Sequence, residues 1–442
     1  MRSIEVLGAA GEVTGSAFVL TDNNGNKHLV DAGIFQEKRD DKRNESLNNH
    51  DPKQFSTINI THAHLDHDGR LPHLYETKAS LFMTRATRDL AYTALRNADG
   101  LSSGLYVNGS VDTVLRKTVT VSYDVPVEAA GVTITFRNAG HILGSASLEI
   151  QEQGGERVVF SGDLGNRAPR TVQPTTPIKQ ADVVVMETTY GDRNHSEEDP
   201  VEVIKDAVKR IKKNKGTLLI PAFAIDRTQI ILNILKNLKD DGILGKVSVF
   251  LDSPMAIDVT QTYLNHRELL KNELKEQDNP FNFDGLTRTY GSKESKSISN
   301  HHGPKIIIAG SGMMSGGRIK RHAIEYLSDR TSIILFVGYP AEGTPSRAIV
   351  EGEKEVLIDD EVVTIEGVVL QMSSLSAHAD QERLLDWLRY INYGERRLRK
   401  VILVHGNNPS RDEFAQQIKT ELGIEDVSLP KENEVIDLQS NA

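Results

Sequence analysis

The stretch THAHLDHDGRLP, residues 61–72, places three histidines and two aspartates within seven residues: His62, His64, Asp66, His67 and Asp68. Ligand-type side chains at that density read either as a metal centre or as a solvated polar turn. The chain has no cysteine, so disulfides and thiolate sites are excluded and any ion must be held by imidazole and carboxylate. Those ligands suit zinc, and a catalytic zinc keeps one position open for water. Beyond a strand, His62 and His64 at alternate positions can aim at one ion, while Asp66 and His67 aim at a second close by. Asp163, ending VVFSGD, could bridge the two, and His141 after TFRNAG and His405 after VILV would complete one ion each. A lone histidine is more often a hydrogen-bonded structural residue than a ligand. The HxHxDH cluster is what favours the metal reading.

Strands must position these side chains. Short runs rich in Val and Ile recur and end at once in Gly, Asp, His or Ser: HLVDAG, STINITHAH, VTITFRNAGH, RVVFSGD, ADVVVMETTYGD and VILVHG. Such runs read as buried strands opening into polar loops, and rigid strand ends are where layered folds collect functional side chains. A second set lies in the middle of the chain, GTLLIPAFAIDR, KVSVFLDSPMA, KIIIAGSGMMSGGR and SIILFVGYPAEG, with helical patterns between. The clearest helix, RTQIILNILKNLKDDG, repeats Ile230, Ile231, Ile234, Leu235 and Leu238 on one face. Alternating strand and helix predicts a parallel sheet with helices on its faces. The polar stretches GDRNHSEEDP and EGEKEVLIDDE mark entry to and exit from this middle domain, placed at 196–360. The outer segments, 1–195 and 361–442, then form one discontinuous domain.

At 442 residues the chain exceeds what one core usually supports. Its 38% hydrophobic and 26% charged composition is that of an ordered globular protein. A net charge of −10 argues against a surface coated by polyanion as a whole. Three local basic runs could line a channel: Arg85, Arg88 and Arg96; Arg318, Lys320 and Arg321; and Arg396 with the residues up to Lys400. The ordinary reading of each is a solvated helix face. The apolar runs are too short to cross a bilayer and the amino terminus lacks a signal peptide's apolar core, so a cytoplasmic location is expected.

With these residues in view, the chain resembles a known family. THAHLDHDG, the histidine of AGHILGS, FSGDLG and the early LVDAG are similar to the four motifs of the metallo-β-lactamase fold. ETTYGDRNH, LSAHAD and VHG resemble motifs A, B and C of its β-CASP branch of nucleases, and IPAFAIDRTQ, DSPMA, GSGMMSGGR and FVGYPAEGT resemble blocks of the same branch. The resemblance implies an α/β fold, a four-layer αββα metallo-β-lactamase sandwich with an inserted parallel α/β β-CASP domain. It implies two Zn2+ per chain, the first held by His62, His64, His141 and bridging Asp163, the second by Asp66, His67, Asp163 and His405. Asp31 would orient a ligand histidine; from the residues alone it is equally a polar residue closing a strand before a glycine turn. Glu187 in motif A would be a further outer carboxylate, and His378 in motif B would contact the scissile phosphate or leaving group. Asp66, Glu187 and His378 are thus the catalytic candidates. Two positions depart from the pattern. Asn407 stands where motif C usually has Glu, removing a charge, and Asp68 stands where a small residue is common, adding one.

The chemistry implied is in-line displacement at phosphorus by a hydroxide generated at a two-zinc centre, with His378 as general acid on the leaving 3′-oxygen. The inserted domain would close a groove over a single strand. GSGMMSGGR, 310–318, offers backbone amides between a strand and a helix, which suits an anion-binding nest. That makes Ser311, Gly312, Met313 and Arg318, with His378, the candidate RNA contacts; by itself a glycine-rich turn is equally an ordinary connection. The expectation is a ribonuclease acting on single-stranded RNA as an endonuclease, with 5′-3′ trimming as an added activity, no membrane partner, and a homodimer left open. One rival is a metallo-β-lactamase-fold hydrolase of small esters, lactams or thioesters, which the inserted domain and motifs A to C disfavour. The other is a catalytically silent RNA-binding subunit, which the complete ligand set disfavours. With only a short tail after His405, the chain resembles the compact members of the branch.

Overall fold

The computed structural model describes residues 1–442 except 37–40, 48–49, 102–103, 339, 394–397 and 440–442. Arg396 of the third basic run and Tyr339 of FVGYPAEGT therefore lie outside the described residues. The chain forms two compact units, Met1–Asn194 with His378–Ala442, and His195–Ala377.

The first unit is built on two seven-stranded sheets. In spatial order one runs Glu434–Asp437, Ser3–Val6, Phe18–Thr21, Lys27–Val30, Phe55–Asn59, Ser80–Thr84, Thr118–Val121. The other runs Val427–Ser428, Lys400–Val404, Val183–Glu187, Arg157–Phe160, Ala146–Glu152, Val132–Asn138, Val127–Ala129. Side chains alternate across a strand, and the Val/Ile runs use both faces. Val183, Val185, Ile402 and Val404 share a core with Ile4, Phe18, Leu20 and Val30 of the facing sheet. Their neighbours Val184, Met186, Val401 and Leu403 pack instead with Leu384, Trp387 and Leu388 of helix Gln381–Asn392 and with Phe414 of helix Asn408–Gln417. On the far side, helix Arg85–Leu101 packs on Ser80–Thr84 and Thr118–Val121, burying Leu90, Ala94 and Leu95. Helix, sheet, sheet, helix gives the four layers.

Strand direction gathers the loops. Arg157–Phe160, Val183–Glu187 and Lys400–Val404 are mutually parallel neighbours. Val132–Asn138 runs the same way, because Ala146–Glu152 is antiparallel both to it and to Arg157–Phe160. Glu187, the last residue of its strand, and His141, Asp163 and His405, which follow theirs, therefore emerge at one edge. In the facing sheet Lys27–Val30 and Phe55–Asn59 are parallel and deliver Asp31 and His62.

The second unit holds a fully parallel sheet in the order Leu286–Arg288, Ser248–Asp252, Lys305–Ala309, Thr217–Pro221, Ile333–Phe336, Val368–Gln371. Helix Arg227–Asp240 buries Ile230, Ile231, Ile234, Leu235 and Leu238, the face its periodicity predicts. This unit runs past residue 360. EGEKEVLIDDE forms a hairpin, Glu355–Ile358 against Glu361–Thr364, turned by Asp359 and Asp360 at φ +48° and +64°. Two consecutive positive φ values make the two-residue turn that suits strand twist. Val368–Gln371 then joins the parallel sheet.

Candidate metal centre

The first unit brings all seven ligand candidates together. His62, His64, His141 and Asp163 each offer an atom within 4.8 Å of the others, and so do Asp66, His67 and His405. Asp163 faces both sets with different oxygens. Its Oδ2 lies 3.3 Å from His62 Nε2 and 3.5 Å from His141 Nε2. Its Oδ1 lies 3.1 Å from His67 Nε2 and 3.6 Å from His405 Nε2. His405 Nε2 is also 3.5 Å from Asp66 Oδ2. A tetrahedron of nitrogen and oxygen ligands about zinc has edges of roughly 3.3 Å, set by bond lengths of about 2.0–2.1 Å, so both sets have the spacing of a coordination shell.

Outer hydrogen bonds settle which ring nitrogen of His62, His67 and His405 faces inward. Thr61 Oγ1 donates to Asp31 Oδ2 at 2.8 Å, so toward His62 Nδ1, 3.0 Å away, it can only accept. His62 therefore carries its proton on Nδ1 and presents the Nε2 lone pair. Asp31 Oδ2 accepts from His67 Nδ1 at 2.8 Å, and Thr189 Oγ1 is 3.0 Å from His405 Nδ1, which turns those two Nε2 atoms inward as well. His64 Nδ1 meets His62 Nε2 and His141 Nε2, each at 3.1 Å; one lone pair cannot satisfy both neighbours, whereas a shared cation satisfies all three. His405 Nε2 and Asp163 Oδ1 are buried with no hydrogen-bond partner, which is costly unless a cation answers them. On this donor set the residues fit two divalent cations.

Electrostatics agree. Burial pushes His62 down to about 3 and His64 down to about 4, and carries His141 well below its ordinary value, so these rings are neutral lone-pair donors at neutral pH. Burial alone would raise Asp163, but His405, His67 and His62 together hold it well below the carboxylate range. His67 is the exception: against burial, Asp163 and Asp31 draw it well above its ordinary value, the response of a ring between two carboxylates that lack another cation.

Motif glycines mark close backbone approach. A Cβ on Gly33 would lie 1.6 Å from the Asp66 carbonyl oxygen, and one on Gly165 would lie 1.9 Å from that of Gly140. LVDAG and FSGDLG thus end in glycine because another ligand loop passes there. Arg70, fully buried, ties the HxHxDH loop down by donating to the carbonyls of Gly33 at 2.5 Å and Gly15 at 3.2 Å.

His378 sits beside this cluster. Its backbone bridges to Gly165, and Ala379 N donates to Leu164 O at 2.7 Å. Glu187 Oε2 takes His378 Nδ1 at 3.1 Å, and His378 Nε2 lies 3.8 Å from Asp163 Oδ2. Burial opposes its charge, but Glu187 and Asp163 raise His378 to about 9. Glu187 also accepts from Leu164 N at 2.6 Å, and it lies close enough to Asp163 and His405 to form a third candidate group with them.

The two departures have local explanations. Asn407 caps helix Asn408–Gln417, accepting from Ser410 N at 2.9 Å. Asp68 is fully buried with neither carboxylate oxygen hydrogen-bonded, and burial raises it well above the usual range. Burial thus favours the neutral acid at Asp68.

The nest candidates lie in the second unit. Ser311 N bonds Gly316 O at 3.3 Å, Gly312 O accepts from Ser346 Oγ at 3.1 Å, and Met313 Sδ accepts from Ala341 N at 3.3 Å. Arg318 is engaged by Asp252 at 2.7 Å and by the Thr289 carbonyl at 3.0 Å. The basic runs are largely ion-paired: Arg88 with Asp89 and Arg96 with Asp112, both at 2.9 Å, Lys400 with Asp426 at 2.7 Å, Lys320 with Asp359 and Arg399 with Glu156. What the sequence did not single out is Thr189, whose partner His405 lies 216 residues away; its only signal was a place inside the ETTYGD motif. Among the described residues no helix is long and apolar enough to cross a membrane.

Comparison with known proteins gives three family matches: a Beta-lactamase superfamily domain over residues 26–222, a Beta-Casp domain over 228–349, and a Zn-dependent metallo-hydrolase RNA specificity domain over 362–430. The chain is 35% identical to Ribonuclease TTHA0252 of Thermus thermophilus, over 90% of this chain and 92% of that one. It is 31% identical to an RNase J-like protein of Methanocaldococcus jannaschii, over 83% and 85%. It is 29% identical to Transcription termination factor FttA of Methanosarcina mazei, over 96% of this chain and 69% of that one. A crystal structure of a protein of unknown function from Enterococcus faecalis shares the fold, with a TM-score of 0.60 at 12% identity and coverage of 99% and 100%.

Proposed function

The chain belongs to the β-CASP family of metallo-β-lactamase-fold RNA-processing hydrolases, and from that premise we propose that it is a two-zinc ribonuclease. It cuts single-stranded RNA endonucleolytically, with 5′-3′ trimming as a further activity, and leaves 5′-phosphate and 3′-hydroxyl ends. The observation that carries this reading is the division of Asp163, Oδ2 toward His62 and His141 and Oδ1 toward His67 and His405. A carboxylate placed in that way suits two ions side by side. When bound, such a pair supplies a hydroxide near neutral pH and offsets charge on the attacked phosphate.

The remaining work falls to the chain's own residues. His62, His64, His141 and Asp163 form one pocket, and Asp66, His67, His405 and Asp163 form the other. Asp31, Thr61 and Thr189 fix ring orientation and tautomer, a role that outer partners of ligand histidines commonly have. Glu187 holds His378 by Nδ1 so that a proton on Nε2 can pass to the leaving 3′-oxygen as the bond to phosphorus breaks. The attacking oxygen stays on phosphorus, which remains with the downstream fragment. The 2′-hydroxyl takes no part in bond making, so a single 2′-deoxy substitution at the cut weakens cleavage only as far as it weakens recognition. Ser311, Gly312, Met313 and Arg318 remain proposed contacts for the RNA backbone. An RNA substrate also carries the proposal of a cytoplasmic location.

The test incubates zinc-loaded protein with end-labelled and internally labelled RNAs and ligates or sequences the fragments. Ends that ligate through a 5′-phosphate support the reading. Cyclic 2′,3′-phosphate ends, or complete loss of cutting at a deoxy position with binding unchanged, would overturn it.

A further inference from the structure

We propose that the first unit carries a second RNA-binding subsite outside the metal centre, a groove between segment 175–179 and helix Gln381–Asn392 that holds one or two nucleotides of the single strand flanking the cut. This rests on the reading of single-stranded RNA as substrate. The groove encloses about 790 Å3, within the range of sites for small organic ligands.

Its lining has the chemistry of a base-stacking site. Arg383, Trp387 and Tyr390 recur at the spacing that puts side chains on one face of a helix, and Tyr393 extends the wall. Tyr390 is 50% exposed and Tyr393 73% exposed. Aromatic rings left open beside cations stack nucleobases without regard to sequence. Trp387 is only 5% exposed, yet its Nε1–H has no acceptor. A buried indole donor in a groove wall is an unmade hydrogen bond that a base or ribose oxygen can complete.

The charges favour a polyanion. Lys179 and Arg383 line the groove, and among the described residues neither has an ion-pair partner, in contrast to the paired basic runs. The one acid in the wall, Asp386, is already paired with Arg389 at 2.5 Å and Arg167 at 3.4 Å. On a chain of net charge −10, two cations outside any ion pair beside open aromatic rings form a local exception. A second copy of the chain is the poorer occupant, because a two-fold contact would set this cationic face against itself.

Both walls of the groove are tied to segments of the metal centre. Thr175 Oγ1 donates to Ala139 O at 2.9 Å, in the loop that carries His141. Helix Gln381–Asn392 starts at its cap Asp380, two residues beyond His378. On this proposal the strand flanking the cut runs outward along one of these walls.

Trp387 is the chain's single tryptophan, so its emission reads the groove directly. Chelated protein, which cannot cut, is titrated with single-stranded oligoadenylate, with adenosine monophosphate and with duplex RNA; zinc-loaded protein is assayed separately for cleavage. The groove predicts saturable quenching by the oligonucleotide and much weaker response to the other two. Tyr390→Ala weakens binding about tenfold, and Arg383→Gln lowers the slope of log affinity against log salt by about 0.7, the share of one lost phosphate contact. Zinc content of each variant checks that the unit is folded. Unchanged emission with cleavage intact would overturn the groove, as would equal affinity for the mononucleotide or emission that varies with protein concentration alone. Quenching without cleavage would support the groove and overturn the nuclease reading instead.

Discussion

Asp163 and the histidines around it separate ligand from catalyst at the scale of single residues. His405 has its Nε2 buried and unanswered beside Asp163 and Asp66, whereas His378 is oriented by Glu187 through Nδ1. His405→Ala is therefore expected to lower bound zinc below two per chain along with activity, as elemental analysis would show. His378→Ala should retain the zinc and lower kcat by ~10²–10⁴-fold, the usual contribution of a general acid; equal loss of zinc from both variants would reverse the assignment. Thr189 gives a finer test. Thr189→Val keeps the shape but removes the oxygen that accepts from His405 Nδ1, and should weaken zinc binding by about 10–100-fold with the fold intact. Competition with a chromogenic chelator measures that change.

Among elements, the tightest constraint is the crossing of loops at glycine. Gly33→Ala would drive a Cβ into the Asp66 carbonyl, 1.6 Å away, so the loop carrying Asp66 and His67 must shift; overpacking of this kind costs about 1–3 kcal/mol. A lower Tm together with lower zinc content is expected, where an ordinary surface alanine would alter neither. In the second unit Asp252 ties two helices, Ser292–Ser297 and Ile319–Tyr326, to the end of its strand. It accepts from Ser295 Oγ at 2.5 Å, Arg318 at 2.7 Å and His322 Nε2 at 2.7 Å. Burial works against its charge, yet His322, Ser295, Thr289 and Arg318 hold it below its ordinary value of 3.8. A folded-state value depressed in this way stabilises fully above the unfolded value and is lost as pH falls below it. Hydrogen-exchange protection factors of strand Ser248–Asp252, taken against the intrinsic rate at each pH, should accordingly fall below about pH 4, and Asp252→Asn should flatten that dependence while lowering protection at neutral pH.

For the whole molecule, metal binding and folding are coupled. Two convergent pockets of imidazoles and carboxylates, with orphaned atoms at their centre, are more stable with cations than without. Chelation should lower the Tm of the first unit, and restoring zinc should raise it by an amount that grows with the logarithm of free zinc. A Tm indifferent to zinc would mean that hydrogen bonds alone satisfy the cluster.

Much of this was legible in the linear chain because it depends on local spacing. HxHxDH, the Val/Ile runs that end in Gly or Asp, and the face of helix Arg227–Asp240 are each written within a few residues, and the periods of strand and helix are fixed by backbone geometry. The family motifs likewise marked His62, His64, Asp66, His67, His141, Asp163 and His405, which the fold brings together. Tertiary structure alone decided what depends on partners far apart in the chain. No local pattern told that Thr189 would meet His405, that Arg318 would be taken up by Asp252, or that the basic runs would be paired with acids. EGEKEVLIDDE looked like an exit because charge resembles a linker; its turn residues make it a hairpin, and the strand after it finds its place only when the parallel sheet offers an edge. The groove of Trp387 and Tyr390 was equally hidden, since an aromatic on a helix reads as core until the open space between it and segment 175–179 is seen.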